Sequence, residues 1–294
     1  MSNKQIPKVD GNNILYHFLQ KELFESDIWL FQMLSAKLVT SLGIWFHPKI
    51  YQQLPILLPF IVRDPTCRKR KEGEVEAWGS PDKLGFLRDD NSLVKGLPKS
   101  LSIISPGQPL YNNKRIGNGF VASHVWRHIN NSSVGTNLSS RDPILNTFVP
   151  NLVWLPAQVS KLSDREGTFT QLYLQALSAK IYRDVSVHSE LSSFVEKAWS
   201  MIDIPSGIPI QGLPNIDDLS FFEPSQSFLT TRRKKIEEVI DALQTISKGQ
   251  ILEGKVITKR YGEGLPLVSP DEIINRQSDL SKYLDAVLAV EQFL

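Results

Sequence analysis

In the stretch Gly119-Phe-Val-Ala-Ser-His124-Val-Trp-Arg127-His128, one imidazole stands at the end of an apolar run that reads as a short strand, where a side chain can project into a cleft. Imidazole titrates near neutral pH, so it can accept a proton there. Twenty-seven residues later Asn151 follows Pro150 and opens a second apolar run, Asn151-Leu-Val-Trp-Leu-Pro156, which is itself preceded by Asn146-Thr-Phe-Val. An amide oxygen is a neutral hard ligand compatible with Mg²⁺. The chemistry on offer is therefore proton abstraction beside a hard-cation site. Each residue also has a plainer reading. A single His in a strand is usually a satisfied structural group, and an Asn after a Pro is commonly a turn residue.

Elements must bring these groups together. Gly117 and Gly119 mark a turn, Phe120-Val121-Ala122 begins a strand, and the run 151–155 forms a second strand stopped by Pro156. Phe169, Leu172, Tyr173, Ala176, Leu177 and Ile181 follow helical spacing, so a helix over 168–182 is expected to pack across both strands. Upstream, residues 12–42 read as helical: Ile14, Leu15, Phe18, Leu19 and Leu23, then Trp29, Leu30, Met33, Leu34 and Leu38. Ser26 or Asp27 serves as a cap within this block and Gly43 as a stop. From 48 to 109 repeated prolines suggest loops and brief strands. A proline-rich connector covers 204–224, helices are expected over 227–247 and 270–294, and Gln250-Ile-Leu-Glu-Gly-Lys-Val-Ile-Thr-Lys-Arg-Tyr261 reads as a strand or hairpin edge. The expectation is one α+β body with a helical N-terminal part, a central strand–loop–strand–helix module and C-terminal helices, divided as 1–109, 110–185 and 186–294.

Residues 115–185 resemble the ββα-metal, or HNH, nuclease module, on the strength of Ser123-His124-Val125-Trp126-Arg127 and Asn151-Leu152-Val153-Trp154-Leu155-Pro156. The resemblance implies that His124 is the general base that takes a proton from the water attacking phosphorus. It implies that Asn151 positions that His or binds a divalent metal, Mg²⁺ or Mn²⁺, one per active site. Asp164 or Glu166 would hold metal-bound water, although Ser163-Asp164-Arg165-Glu166-Gly167 also reads as ordinary helix-start chemistry. Arg127 would contact the scissile phosphate as a planar donor. The chain departs from the family pattern in three ways. Ser123 stands where many members have an acidic residue, Ser160 stands where many have a second His, and the zinc-binding cysteine pairs are absent.

The whole chain looks similar to type II restriction endonucleases of the HNH kind, with the MamI-like group the closer match. That likeness implies cleavage of double-stranded DNA to 5′-phosphate and 3′-hydroxyl ends by a homodimer, with 1–109 serving recognition or dimerisation. Two basic clusters, Arg68-Lys69-Arg70-Lys71 and Arg232-Arg233-Lys234-Lys235, are candidate phosphate contacts. Trp78-Gly-Ser-Pro-Asp82 and Arg88-Asp-Asp-Asn-Ser92 carry groups able to read base edges, though such groups are equally common in turns.

Composition limits the alternatives. A formal charge of +2, from 33 basic and 31 acidic residues, is too balanced for a generic polyanion binder, so DNA contacts must come from local patches. One cysteine, Cys67, excludes an internal disulfide and any zinc site with two thiolates. The most apolar stretch, 44–62, is broken by His47, Lys49, two glutamines and three prolines, and the N-terminal residues lack a signal-peptide apolar core; the expectation is a cytoplasmic protein with no membrane partner. No phosphate-binding GxxxxGK[ST] loop and no GxSxG elbow occurs. Two competing readings stand beside the first. Glu253-Gly-Lys255 could belong to a PD-(D/E)xK nuclease, with Asp241 upstream, or the chain could be a non-catalytic DNA-binding protein with a degenerate nuclease module.

Overall fold

The computed structural model describes residues 21, 25–68, 81, 82, 84–164, 166–208, 213–252 and 255–291, without the side chains of 25, 26, 68, 260 and 291. Lys69, Arg70, Lys71, Trp78 and Glu253 lie outside the described residues, as does the helical run expected over 12–20.

Helix α1 (Glu25–Leu42) leads directly into strand β1 (Ile44–Phe46). The turn between them is tight: a Cβ at Gly43 would lie 3.0 Å from Val153 Cγ2 and 3.1 Å from the Val39 carbonyl, so only glycine fits without movement. All three β1 residues are fully buried, the continuous apolar pattern of a strand covered on both faces. Helix α2 (Pro48–Gln53) follows. Strands β2 (Ile61–Arg63) and β3 (Leu87–Asp89) then pair in parallel as a separate two-stranded sheet, with helix α3 (Ser92–Gly96) after them.

Strands β4 (Ile103–Ile104), β5 (Phe120–His124), β6 (Leu152–Pro156) and β7 (Ser220–Phe222) complete the main sheet around β1, in the order β4-β7-β1-β6-β5. Its core is aromatic. The Trp154 ring meets Phe46 at 5.1 Å and Phe222 at 5.3 Å, both edge to face. Helix α4 (Ala157–Ser160) follows β6 at once, and helix α5 (Phe169–Tyr182) packs against α1; the remaining helices are α6 (Ser189–Ser200), α7 (Gln226–Ser247), α8 (Lys259–Gly264) and α9 (Pro270–Glu291).

The α+β class expected from sequence is present, and the three sequence regions each give strands to one sheet: β1 and β4, then β5 and β6, then β7. Two local expectations are corrected. Among the described residues of 250–261, the backbone makes only an isolated bridge between Val256 and Thr258 before α8 begins, and none of them forms a strand. The proline-rich connector contains β7, which pairs in parallel with β1. None of the described helices is long and apolar enough to cross a membrane.

Candidate active site

β5 and β6 form an antiparallel pair in the register Phe120↔Pro156 through His124↔Leu152. Gly119, at φ +83°, turns the chain into β5, and its carbonyl accepts the Ala157 N–H at 2.7 Å, tying the start of β5 to the start of α4. His124 is thus the last residue of a strand at the sheet edge, as its sequence position suggests. Val125 and Trp126 beyond it are fully buried and hold the chain end still. The Val125 N–H donates to the Asn151 carbonyl at 2.9 Å, and the Val125 carbonyl accepts from the side-chain amides of Gln171 and Gln175 on α5, at 3.5 and 3.4 Å.

The His124 ring makes two contacts through one nitrogen. Nε2 lies 3.0 Å from the Asn146 carbonyl and 3.2 Å from Asn146 Oδ1. Both partners are acceptors, because Asn146 Nδ2 is committed to the Ile61 carbonyl at 2.7 Å, which fixes the amide orientation. Nε2 therefore carries the proton and Nδ1 carries the lone pair. Nδ1 is buried and has no hydrogen-bond partner. Burial first, then the positive charge of Arg63, holds the ring down to about 4, against the smaller opposing effect of the Asn146 hydrogen bonds. At neutral pH His124 is an uncharged imidazole with an unused lone pair.

That ring lines a cleft of about 550 Å³. Four cations (Arg63, Arg127, Arg141, Lys161) and two carboxylates (Asp90, Asp164) line it too. Arg63 comes from the end of β2; its guanidinium is lowered by burial, raised by Asp164, and lowered by Arg127, so these charges share one field. Its Nε is buried without a partner. Arg141 and Arg88 both pair with Asp64, at 3.9 and 3.7 Å. Burial alone would raise Asp64, but its hydrogen bonds from Thr66 and these two guanidiniums outweigh burial and lower it. Asn91 also faces the cleft, in the left-handed region at φ 84°, and donates Nδ2 to the Ala122 carbonyl on β5 while its Oδ1 is buried without a partner. Asn tolerates that backbone better than most residues, and such strain is often found at functional sites.

Of the residues singled out in sequence, His124, Arg127 and Asp164 are brought together. Arg127 donates to the Asp164 carbonyl, and the Asp164 carboxylate pairs with Lys161 at 3.1 Å. Three other assignments are corrected. Asn151 is fully buried, and its amide is spent within the hairpin: Oδ1 accepts from the Trp126 N–H at 2.8 Å and Nδ2 donates to the Leu145 carbonyl at 2.9 Å. It fastens the turn behind His124 and does not reach the cleft as a metal ligand. Glu166 accepts from Gln171 at 2.9 Å and lies outside the cleft lining. The basic run on α7 is not an open patch, because Arg233 is 3% exposed, Arg232 lies over the Phe228 ring and Lys235 pairs with Glu238, which leaves Lys234 exposed.

The base-reading candidates at 88–92 are largely used in local turns. Asp89 is fully buried and accepts from Ser92 and Leu93, and Asp90 accepts from the Ser92 N–H. Lys255 is exposed and away from the cleft lining, and Asp241 is exposed on α7. Sequence reading places none of Asn146, Arg63, Arg141 and Asn91 beside His124: Arg63 reads with the basic loop 63–71 as a phosphate contact, Asn91 as a base-edge reader, and Arg141 is not singled out at all. Asn146 lay in the stretch already singled out, five residues before Asn151. The other three carry no local signal of proximity to His124.

Among the described residues no group of three His, Cys, Asp or Glu side chains is placed to hold a metal ion. Comparison of the chain with protein-family models, with curated proteins and with solved structures finds no match in any of the three.

Proposed function

We propose that this chain is a nuclease that hydrolyses phosphodiester bonds in the cleft at the end of β5, with His124 as the general base. Its substrate in this reading is double-stranded DNA cut at specific sites, as in the type II restriction endonucleases of the HNH kind, and it works in the cytoplasm. The observation that carries the proposal is the state of the His124 ring. Its protonated nitrogen is anchored on Asn146, its lone-pair nitrogen is unpartnered, and the ring lines a cleft that it shares with four cationic side chains.

The reaction follows from that arrangement. His124 Nδ1 takes a proton from water as the water oxygen bonds to phosphorus and the bond from phosphorus to the 3′-oxygen breaks. The 3′-oxygen leaves as an alkoxide that takes a proton from solvent water, and His124 returns its proton to solvent, so the products are a 5′-phosphate and a 3′-hydroxyl. Arg63, Arg127 and Arg141 are planar donors suited to the phosphate oxygens, on which charge builds in the transition state. A phosphate docked against Arg63 offsets the positive charge that, after burial, lowers the imidazole. Mg²⁺ or Mn²⁺ belongs to the same proposal. Of the three ligands expected from sequence only Asp164, an exposed hard-oxygen donor, lines the cleft, and water would fill most positions of an ion held there. A bound ion supplies neutralisation of the phosphate and of the leaving oxygen.

The test is incubation of phage and plasmid DNA with the wild-type chain, His124→Ala and Lys255→Ala, in Mg²⁺, Mn²⁺ or EDTA. Discrete fragments made by wild type and Lys255→Ala but not by His124→Ala are expected. Intact DNA under every metal, with binding that persists in EDTA, would replace the proposal with a non-catalytic DNA-binding role.

A further inference from the structure

We infer that a second cavity of this chain, apart from the cleft, is a binding site for a small aromatic acid, anionic at neutral pH. It measures about 280 Å³ and shares no lining residue with the cleft. One segment serves both: Ser139, Ser140 and Arg141 line the cleft, whereas Pro143 and Ile144 line the second cavity. The remaining wall comes from the 56–60 stretch, Phe86, α6 and α9. An apolar cavity of roughly 150 Å³ is enough for a benzene ring, so this one has room for about two fused rings. Its wall is largely aromatic. Phe60 meets Phe86 edge to face at 6.0 Å, and Phe194 of α6 meets Tyr283 of α9 in the same way at 5.1 Å. Ile56, Ile144 and Leu280 add aliphatic surface. A flat aromatic occupant gains ring contacts from such walls beyond the area it buries.

The polar groups of the wall select the charge of the occupant. Two of them are spent on the wall itself. The Tyr283 hydroxyl donates to the Ile56 carbonyl at 2.7 Å and accepts the Ile56 N–H at 2.8 Å, so it offers a ligand its ring only. The Arg276 guanidinium lies 4.1 Å over the Phe86 ring and is held by Glu272 at 2.8 Å and Asp279 at 3.6 Å. Lys197 on α6 and Lys282 on α9 differ from these. Both are exposed, and the ammonium of neither is taken up in an ion pair among the described residues. Asp279 is the one carboxylate among the described lining residues, and it pairs with Arg276. The rim therefore carries two positive charges with no counter-charge in the wall. An apolar body with a few placed polar groups at its edge is the usual build of a small-molecule site. Here the body fits a flat ring system and the edge fits its acid group, reached by long flexible ammonium side chains.

Calorimetric titration of the full chain with naphthalene-2-carboxylate tests this, with 2-naphthylmethanol as the neutral counterpart. Saturable binding of the acid at one site per chain is expected, about tenfold tighter than that of the alcohol, the scale of two partly exposed ion pairs. Ser193→Trp places an indole in the cavity from an exposed position on α6, so binding of both compounds should be lost while the thermal midpoint is kept. Val134→Trp should do the same from the 133–144 loop, as an independent block. Lys197→Gln combined with Lys282→Gln should bring the acid down to the affinity of the alcohol and leave the alcohol unchanged. A wild-type chain that the acid does not saturate overturns the proposal, and so does binding that survives both tryptophan variants in folded protein. An alcohol that binds as tightly as the acid overturns the anionic class of the ligand. None of these measurements involves cleavage of DNA, so the site stands or falls apart from the nuclease reading.

Discussion

An imidazole can serve as a base only when one ring nitrogen keeps its lone pair and has no other partner. His124 meets that condition because Asn146 takes the other nitrogen with two acceptors. His124→Ala is expected to lower cleavage by at least about a hundredfold, the usual scale for loss of a general base, measured as initial rates on plasmid DNA. The pH dependence follows from the lowered ring. The neutral form that the proposed role needs is complete well above about 4 and is lost as pH falls through that value. Stability moves in the same direction. The unfolded ring binds its proton near the ordinary 6.5 and the folded ring only near 4, so the unfolded state takes up more protons between them, and stability falls as pH drops through that window. In His124→Gln this part of the acid loss of stability should vanish from urea titrations. Asn146→Asp places a carboxylate against the Nε2 proton, so the ring's midpoint should move upward, seen by proton NMR of the imidazole. Arg63→Ala removes a charge that depresses the same ring, so that midpoint should again rise, while cleavage falls about tenfold or more through the lost phosphate contact. A rise in midpoint without loss of rate would remove Arg63 from the site.

At the scale of elements, the β5–β6 hairpin and α5 act as one clamp on the residues after His124. Asn151 holds Trp126 and Leu145, Gln171 and Gln175 hold Val125, and Ser178 on α5 donates to the Pro150 carbonyl at 2.6 Å. Asn151→Ala leaves a buried N–H and a buried carbonyl unpaired, which costs about 2–4 kcal/mol. The expected result is a lower urea midpoint, shifted equally in Mg²⁺ and in EDTA. A shift seen only in Mg²⁺ would return Asn151 to the metal. The clamp was legible in outline. The apolar run from Phe120 after a glycine turn and the stripe over 169–181 are local patterns, and both became the expected elements. Thr168 caps α5 by accepting the Gln171 N–H, so its start too is set locally. β7 was not legible, because three residues after a proline-rich run have no period to read and their partner is Ile44–Phe46, far away in sequence.

For the whole molecule, charge is read correctly only after folding. Arg232 and Arg233 sit in an exposed-looking basic run, yet the helix turns Arg233 into the protein and leaves Lys234 outside. Arg233→Ala is accordingly expected to lower the thermal midpoint, whereas Lys234→Ala should change stability by less than about 0.5 kcal/mol. The cations that line the cleft come from elsewhere, from the end of β2, the turn after β5, the 139–141 turn and the end of α4. By itself the sequence determined the α+β class, the long helices, the hairpin and the place of His124 at a strand end, because these depend on spacings of two to four residues that the backbone imposes. The family resemblance pointed to Asn151 as the amide beside His124, and the structure puts Asn146 there instead. Which amide was decided by tertiary structure: Asn146 and Asn151 are chemically identical and five residues apart, and only the pairing of distant segments turned one toward the imidazole and buried the other behind it. Arg63 joined them for the same reason, since the partners of a polar atom are set by contacts between remote parts of the chain, which no local period records.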